Sequence, residues 1–128
     1  MTTEVVALTL DLLEQIGETD PLINSRRMSG PAYGWLLDGR PVVAAGLGRV
    51  VGREFLAWCV IKPEVRASKL LIRRLTREIR TRYPIIRDLI KAEVVQADTR
   101  DDPMFTRWLQ ELDMRRLPIA HYGWAKHG

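Results

Sequence analysis

The chain has 128 residues, 46% of them hydrophobic and 28% charged, a one-domain length with apolar material for a single core. No apolar run approaches the ~18 residues that a membrane span needs, and one cysteine, Cys59, excludes an intramolecular disulfide. A net charge of +4 is only mildly basic, so where the charge sits matters more than its size.

Glu4–Leu8 reads as a short strand. Thr9 can cap a helix over Leu10–Ile16, which Gly17 would end. Asp20-Pro21 places a capping residue before a proline at the first helical position, which predicts a second short helix through Ser25. Met28-Ser29-Gly30-Pro31 is a loop. Ala32–Leu37 makes a strand, Asp38-Gly39 is a strong hairpin signal, and Pro41–Leu47 is the return strand. Gly46 in that strand and Gly48 just after it mark a bulge or a close backbone approach. A tight turn around Val51-Gly52-Arg53 follows.

Phe55–Ile61 is an unbroken apolar run, expected of a central strand buried on both faces. Lys62-Pro63-Glu64 breaks it, and a long helix then carries Leu70, Leu71, Ile72, Leu75 and Ile79 to Arg82. Tyr83-Pro84 is expected to end that helix, because proline disfavours helical geometry in the residue before it. At about 100° per residue, Leu71, Ile72, Leu75 and Ile79 share one face. Arg66, Lys69, Arg73, Arg77 and Arg80 form a stripe roughly opposite. Of the 20 Lys and Arg, ten lie between Lys62 and Lys91, against three acids (Glu64, Glu78 and Asp88). A solvated helix face is the ordinary explanation; such a stripe could also meet nucleic acid, phosphate or an acidic protein surface.

Leu89–Ala97 reads as the next strand, with Asp88 and Asp98 at its ends. Thr99–Asp102 is polar, and Pro103 opens a helix carrying Phe105, Trp108, Leu109 and Leu112. Leu117-Pro118 breaks it before a closing strand, Ile119–Trp124. The order predicts a single mixed α/β domain over residues 1–128. Its core would be a mixed sheet of about six strands, with an antiparallel meander and about four helices.

Cys59 lies mid-strand among apolar neighbours and reads as a small core side chain, since a reactive thiol needs an electropositive, partly exposed setting. His121 alternates with Ile119 and Gly123 on one strand face and reads as a structural histidine. His127 is close to the last residue. Two histidines and one cysteine without short spacing argue against a metal site. Glu54, Glu93 and Asp98 flank strands, and Glu54 and Glu93 are the candidates for a general base, although solvated or arginine-paired acids are the commoner case. Trp35, Trp58, Trp108 and Trp124 read as packing, because the basic stripe contains no aromatic that could stack on bases.

The element order, together with Arg82-Tyr83-Pro84-Ile85-Ile86, Ala92–Asp98 and Arg107-Trp108-Leu109-Gln110-Glu111-Leu112, resembles the GNAT N-acetyltransferases. It is closest in pattern to the small GNAT-like proteins of tailed phages. In active members the resemblance implies a Q/R-x-x-G-x-G/A loop, whose backbone amides hold the pyrophosphate of acetyl-CoA. Here that loop falls on Arg66, Ala67, Ser68, Lys69, Leu70 and Leu71. The arginine is kept, and Lys69 and Leu71 replace the glycines. Side chains there are expected to crowd the phosphates, with Arg66 and Lys69 left to hold an anion by charge. The family's second segment places Asp102 at its asparagine, Leu109 at its proton-donating tyrosine and Asp113 at its glycine. Leu109 has no proton to give.

Three readings stay open. The first is a phage-type GNAT-fold protein that is non-catalytic, without a cofactor, acting in virion assembly or structure through other virion proteins. The second is an acetyl-CoA-dependent N-acetyltransferase with a divergent loop. The third is nucleic-acid or anion binding through the basic helix, with Arg66, Lys69, Arg73, Arg77 and Arg80 as contacts. One cysteine and the absence of a basic n-region after Met1 suggest a cytoplasmic protein, or a virion component under the first reading, with no membrane partner.

Overall fold

The structure is a computed structural model that describes residues 2–17, 19–98, 102–117 and 121–126. In chain order the elements are β1 (Thr3–Ala7), α1 (Leu10–Ile16), α2 (Pro21–Arg27), β2 (Ala32–Leu37), β3 (Arg40–Val51) and β4 (Glu54–Ile61). They continue with α3 (Pro63–Arg66), α4 (Lys69–Leu89), β5 (Val94–Asp98), α5 (Pro103–Glu111), β6 (Arg115–Leu117) and β7 (His121–Ala125). The strands form one mixed sheet in the order β1-β2-β3-β4-β5-β7-β6. β1 to β4 are an antiparallel meander, and β5 joins β4 in parallel through the α3–α4 crossover.

Local chemistry sets the first half as expected. Thr9 Oγ1 accepts from the Leu12 amide, and Gly17 closes α1 at φ 113°. Asp20 caps α2 ahead of Pro21. Asp38 and Gly39 both take positive φ, 49° and 81°, as a two-residue hairpin of primed type requires. Gly46 is a close backbone approach: a Cβ there would lie 2.5 Å from the Pro31 carbonyl oxygen.

The sheet separates two layers. On one face Leu8, Leu13 and Ile16 pack with Ala44, Trp58 and Val60 beneath α1. On the other, α4 and α5 cover Trp35, Val43, Leu47, Phe55 and Val95 with Leu71, Leu75, Tyr83, Trp108 and Leu112. Both cores are apolar and continuous with the sheet, so burial of these side chains supplies the main stabilising term.

Four expectations need correction. Helix α4 does not stop at Arg82 but continues through Pro84 to Leu89. Tyr83, Ile86 and Ile90 extend its buried face against Phe55, Ala92 and Val95, and that burial outweighs the local cost of an internal proline, about 3 kcal/mol. The next strand therefore starts at Val94 and not at Leu89. The expected mixed sheet is observed, and among the described residues a third difference is only of number: β6 and α3, both too short to show a period, bring about six strands and about four helices to seven and five. Finally, β4 is central but not buried on both faces: only Phe55 is fully buried, and the residues after it are half-buried. The expected strand Ile119–Trp124 is observed as His121–Ala125, with residues 119 and 120 outside the described ones.

Replacing Pro84 by alanine restores an amide donor for the Arg80 carbonyl and removes the ring clash. The expected result is a gain of about 1–3 kcal/mol in urea unfolding, less a few tenths for the freer unfolded chain. Unchanged or lower stability would mean that the turn at Pro84 needs proline's geometry.

Candidate functional site

Strands β4 and β5 pair over only three positions, Glu54 with Val94, Phe55 with Val95 and Leu56 with Gln96. β4 runs on to Ile61, while Ala97 and Asp98 of β5 pair only with β7. The sheet therefore opens into a wedge at this point. Beneath α4 and α5 the wedge leads into a cavity of about 180 Å³. Ala57 and Cys59 of β4, Ala97 of β5, Leu75 and Ile79 of α4 and Leu109 of α5 line it. The alanines leave the space that larger residues would fill. The only charged side chains on its wall among the described residues, Glu78 and Arg82, pair with each other at 2.9 Å. The cavity suits an apolar group, in keeping with the usual character of ligand pockets.

The loop from β4 to α4 sits at the open end of the wedge. Its amides serve its own turns: Val65 and Arg66 donate to the Lys62 carbonyl, Ala67 to Pro63 and Ser68 to Val65. Ser68 caps α4, its Oγ accepting from the Leu71 amide at 3.2 Å. Among the described residues this leaves the Lys69 and Leu70 amides without a protein acceptor, at the positive end of a long helix. Leu71 turns inward and is 5% exposed, in the core with Trp35 and Trp108. The expected crowding by Leu71 is therefore not seen, because helical geometry sends that position into the core. Leu70 and Lys69 are the side chains that face solvent there.

Arg66 has a partner within the fold. Its guanidinium donates to the Asp102 carboxylate at 2.5 Å and lies over the Phe105 ring at 5.5 Å. Asp102 also caps α5, accepting from the Met104 and Phe105 amides. Burial alone would raise the Asp102 pKa, but the hydrogen bond from Arg66 and the two amides hold it below the ordinary carboxylate value. Further along, the Trp108 indole donates to Thr76 Oγ1 at 2.8 Å, and Arg80 pairs with Glu111 at 2.7 Å. These three links fix α5 beside α4 and so fix the cavity wall.

The other candidates are placed as follows. Leu109, at the family's tyrosine position, lines the cavity, and Asp113 takes φ 66°, the conformation a glycine at that position would favour. Glu54 and Glu93 stand at the closed end of the β4–β5 pair, away from the cavity. Glu93 lies 3.8 Å from Arg53, both well exposed. Burial pushes the Cys59 thiol up to about 12, against the opposing charges of Arg66 and Arg27, so it stays protonated. The side chains of Asp98 and His121, and all of His127, lie outside the described residues. No metal-ligand cluster occurs among the described residues.

Two features had no signal in the sequence. Thr76 and Asp102 acquire their roles only from contacts 32 and 36 residues away. Tyr83, expected as a helix end, is instead buried in the cavity wall. Burial pushes its pKa up to about 12 in spite of the opposing charge and hydrogen bond of Arg87.

No protein-family model matches the chain, and no curated protein matches it. Solved structures do. The ribosomal-protein-S18-alanine N-acetyltransferase of Escherichia coli is 11% identical, with a TM-score of 0.64 over 97% of this chain and 94% of that one. An aminoglycoside acetyltransferase in complex with coenzyme A is 12% identical, with a TM-score of 0.63 over 98% and 96%. A probable acetyltransferase from Staphylococcus epidermidis is 8% identical, with a TM-score of 0.64 over 98% and 99%. The chain has the fold of the GNAT acetyltransferases. No helix among the described residues is long and apolar enough to cross a membrane.

The Arg66–Asp102 link gives a prediction with a defined sign. Asp102→Asn keeps a good capping residue but removes the ion pair. With Asp102 about a fifth exposed and Arg66 two-fifths, the expected loss at pH 7 is about 1 kcal/mol. Because the folded-state pKa is lowered, the contribution is complete at neutral pH and disappears as pH falls through that lowered value. Urea titrations of both proteins should therefore converge well below pH 3.8, the ordinary carboxylate value. Separately, Thr76→Val should cost about 1–3 kcal/mol by orphaning the Trp108 indole N–H.

Proposed function

We propose that this chain uses the GNAT scaffold to bind a partner and does not carry out acetyl transfer by the family's usual route. The observation behind this reading is the state of the β4–α4 loop. Its amides from Val65 to Ser68 are engaged in its own turns, and Ser68 occupies the Leu71 amide. Two free amides, at Lys69 and Leu70, are a small remnant of a cradle that depends on several converging N–H groups. Arg66 already holds Asp102, so the strongest cation at the loop has its carboxylate. Leu109 stands where the proton donor would be and has no ionisable group. The partners suggested by the sequence pattern are other proteins of a phage particle, in assembly or as a structural component.

A second reading is favoured by the wedge itself. An apolar cavity between parting strands, reached past a helix N-terminus, can take an acyl group and its thioester, and coenzyme A is bound by a structural neighbour of this chain. In that case acetyl-CoA would be the cofactor, Lys69 with the Lys69 and Leu70 amides would meet the phosphates, and solvent would take the proton donor's part.

Isothermal titration with acetyl-CoA distinguishes the two readings. Under the first, no saturable heat appears at millimolar ligand, and the melting temperature stays fixed. Under the second, ligand at 100 times its dissociation constant adds about 2.7 kcal/mol of stability. A saturating isotherm that Lys69→Ala weakens would overturn the non-catalytic proposal.

A further inference from the structure

Apart from Arg74, which is half-buried and has no carboxylate partner among the described residues, the cations of α4 fall into two groups once the tertiary contacts are known. Arg80 pairs with Glu111, Arg82 with Glu78, Arg87 with Asp88, and Arg66, just before the helix, with Asp102. Lys69, Arg73 and Arg77 are exposed and have no carboxylate partner among the described residues. They recur every four residues. Each therefore stands about 6 Å further along the axis than the last, turned by only about 40°. α5 adds a fourth such cation. Glu111 is bound to Arg80, and Arg107 lies one helical turn before Glu111 on the exposed face of α5. The pairing of Arg66 with Asp102 and of Trp108 with Thr76 runs the two helices side by side from their N-termini. Arg107 is thereby presented on the α5 flank of the same surface.

We infer that Lys69, Arg73, Arg77 and Arg107 form a binding surface for the phosphate backbone of duplex DNA, without sequence readout. The stripe of three covers about 12 Å, the length of three to four phosphates of one strand at about 3.4 Å each. Arginine suits phosphate because its planar fork can donate two hydrogen bonds at once. No aromatic side chain lies in the stripe, so base stacking on unpaired strands has no platform. Nor do these helices expose a row of uncharged polar side chains to read base edges: Thr81 on α4 and Gln110 on α5 are the exposed ones among the described residues. Attraction should therefore come from counterion release and depend steeply on salt. This inference does not rest on whether acetyl-CoA binds.

Fluorescence anisotropy with a labelled 20-base-pair duplex, repeated between 50 and 200 mM salt, is the test. Four phosphate contacts at a slope of about −0.9 each should weaken binding about 150-fold over that fourfold change. Arg73→Ala, Arg77→Ala and Arg107→Ala should each flatten the slope by about one contact, while Arg73→Lys with Arg77→Lys should retain it. Glu111→Gln, which frees Arg80, should steepen it. The side chains of Arg73, Arg77 and Arg107 are exposed and have no ion pair among the described residues, so circular dichroism and melting of those variants should match the wild type. Glu111→Gln, which removes a link between α4 and α5, should keep the wild-type circular dichroism. A slope near zero would overturn the inference, as would duplex binding unchanged by Arg73→Glu with Arg77→Glu. Binding of polyglutamate without binding of DNA would also overturn it, and would assign the surface to an acidic protein.

Discussion

The parallel pairing of β4 with β5 stops after Leu56 and Gln96, and most of what this fold offers chemically depends on that early stop. A sheet that kept its register to Ile61 would be closed, with its inner face filled by side chains from α4. Because β5 turns instead to β7, the second half of β4 lacks a neighbour on one edge. Its side chains are half-buried where a central strand's would be sealed, and the space beside them becomes a cavity. The alanines at 57 and 97 keep that space open.

Keeping a wedge open requires its walls to be held from elsewhere. α5 provides one wall, and it is fixed by an ion pair to Arg66 of α3 at one end, an ion pair to Arg80 of α4 at the other and the indole–threonine hydrogen bond between them. Individually the exposed pairs are weak. Their value here is positional: they set the relative placement of the two helices. The same pairs determine which cations of α4 remain free. Arg66 and Arg80 are spent on holding the fold together, while Lys69, Arg73 and Arg77 are left facing solvent.

The loop between β4 and α4 is held by its own turns and by the core beneath it. Pro63 starts a short turn, Ser68 caps the long helix, and Leu71 anchors that helix in the core. Each of these residues strengthens local structure. With the Leu71 amide taken by Ser68, the Lys69 and Leu70 amides are left without a protein acceptor among the described residues.

Periodicity and capping chemistry carried much of the architecture in this sequence. Thr9, Gly17, Asp20-Pro21 and Asp38-Gly39 act through neighbours a few residues away, so their positions alone placed α1, α2 and the β2–β3 hairpin. The apolar run at Phe55–Ile61 and the stripe at Leu71, Ile72, Leu75 and Ile79 likewise identified the central strand and the face that α4 buries. Pro84 misled for a definite reason: a local steric preference was outweighed by burial of Tyr83, Ile86 and Ile90, partners distant in the chain. The cavity, the Arg66–Asp102 link, the Trp108–Thr76 bond and the sorting of arginines into paired and free arise from contacts spanning thirty residues or more. No short window of sequence encodes such contacts, because what brings their partners together is the packing of whole elements.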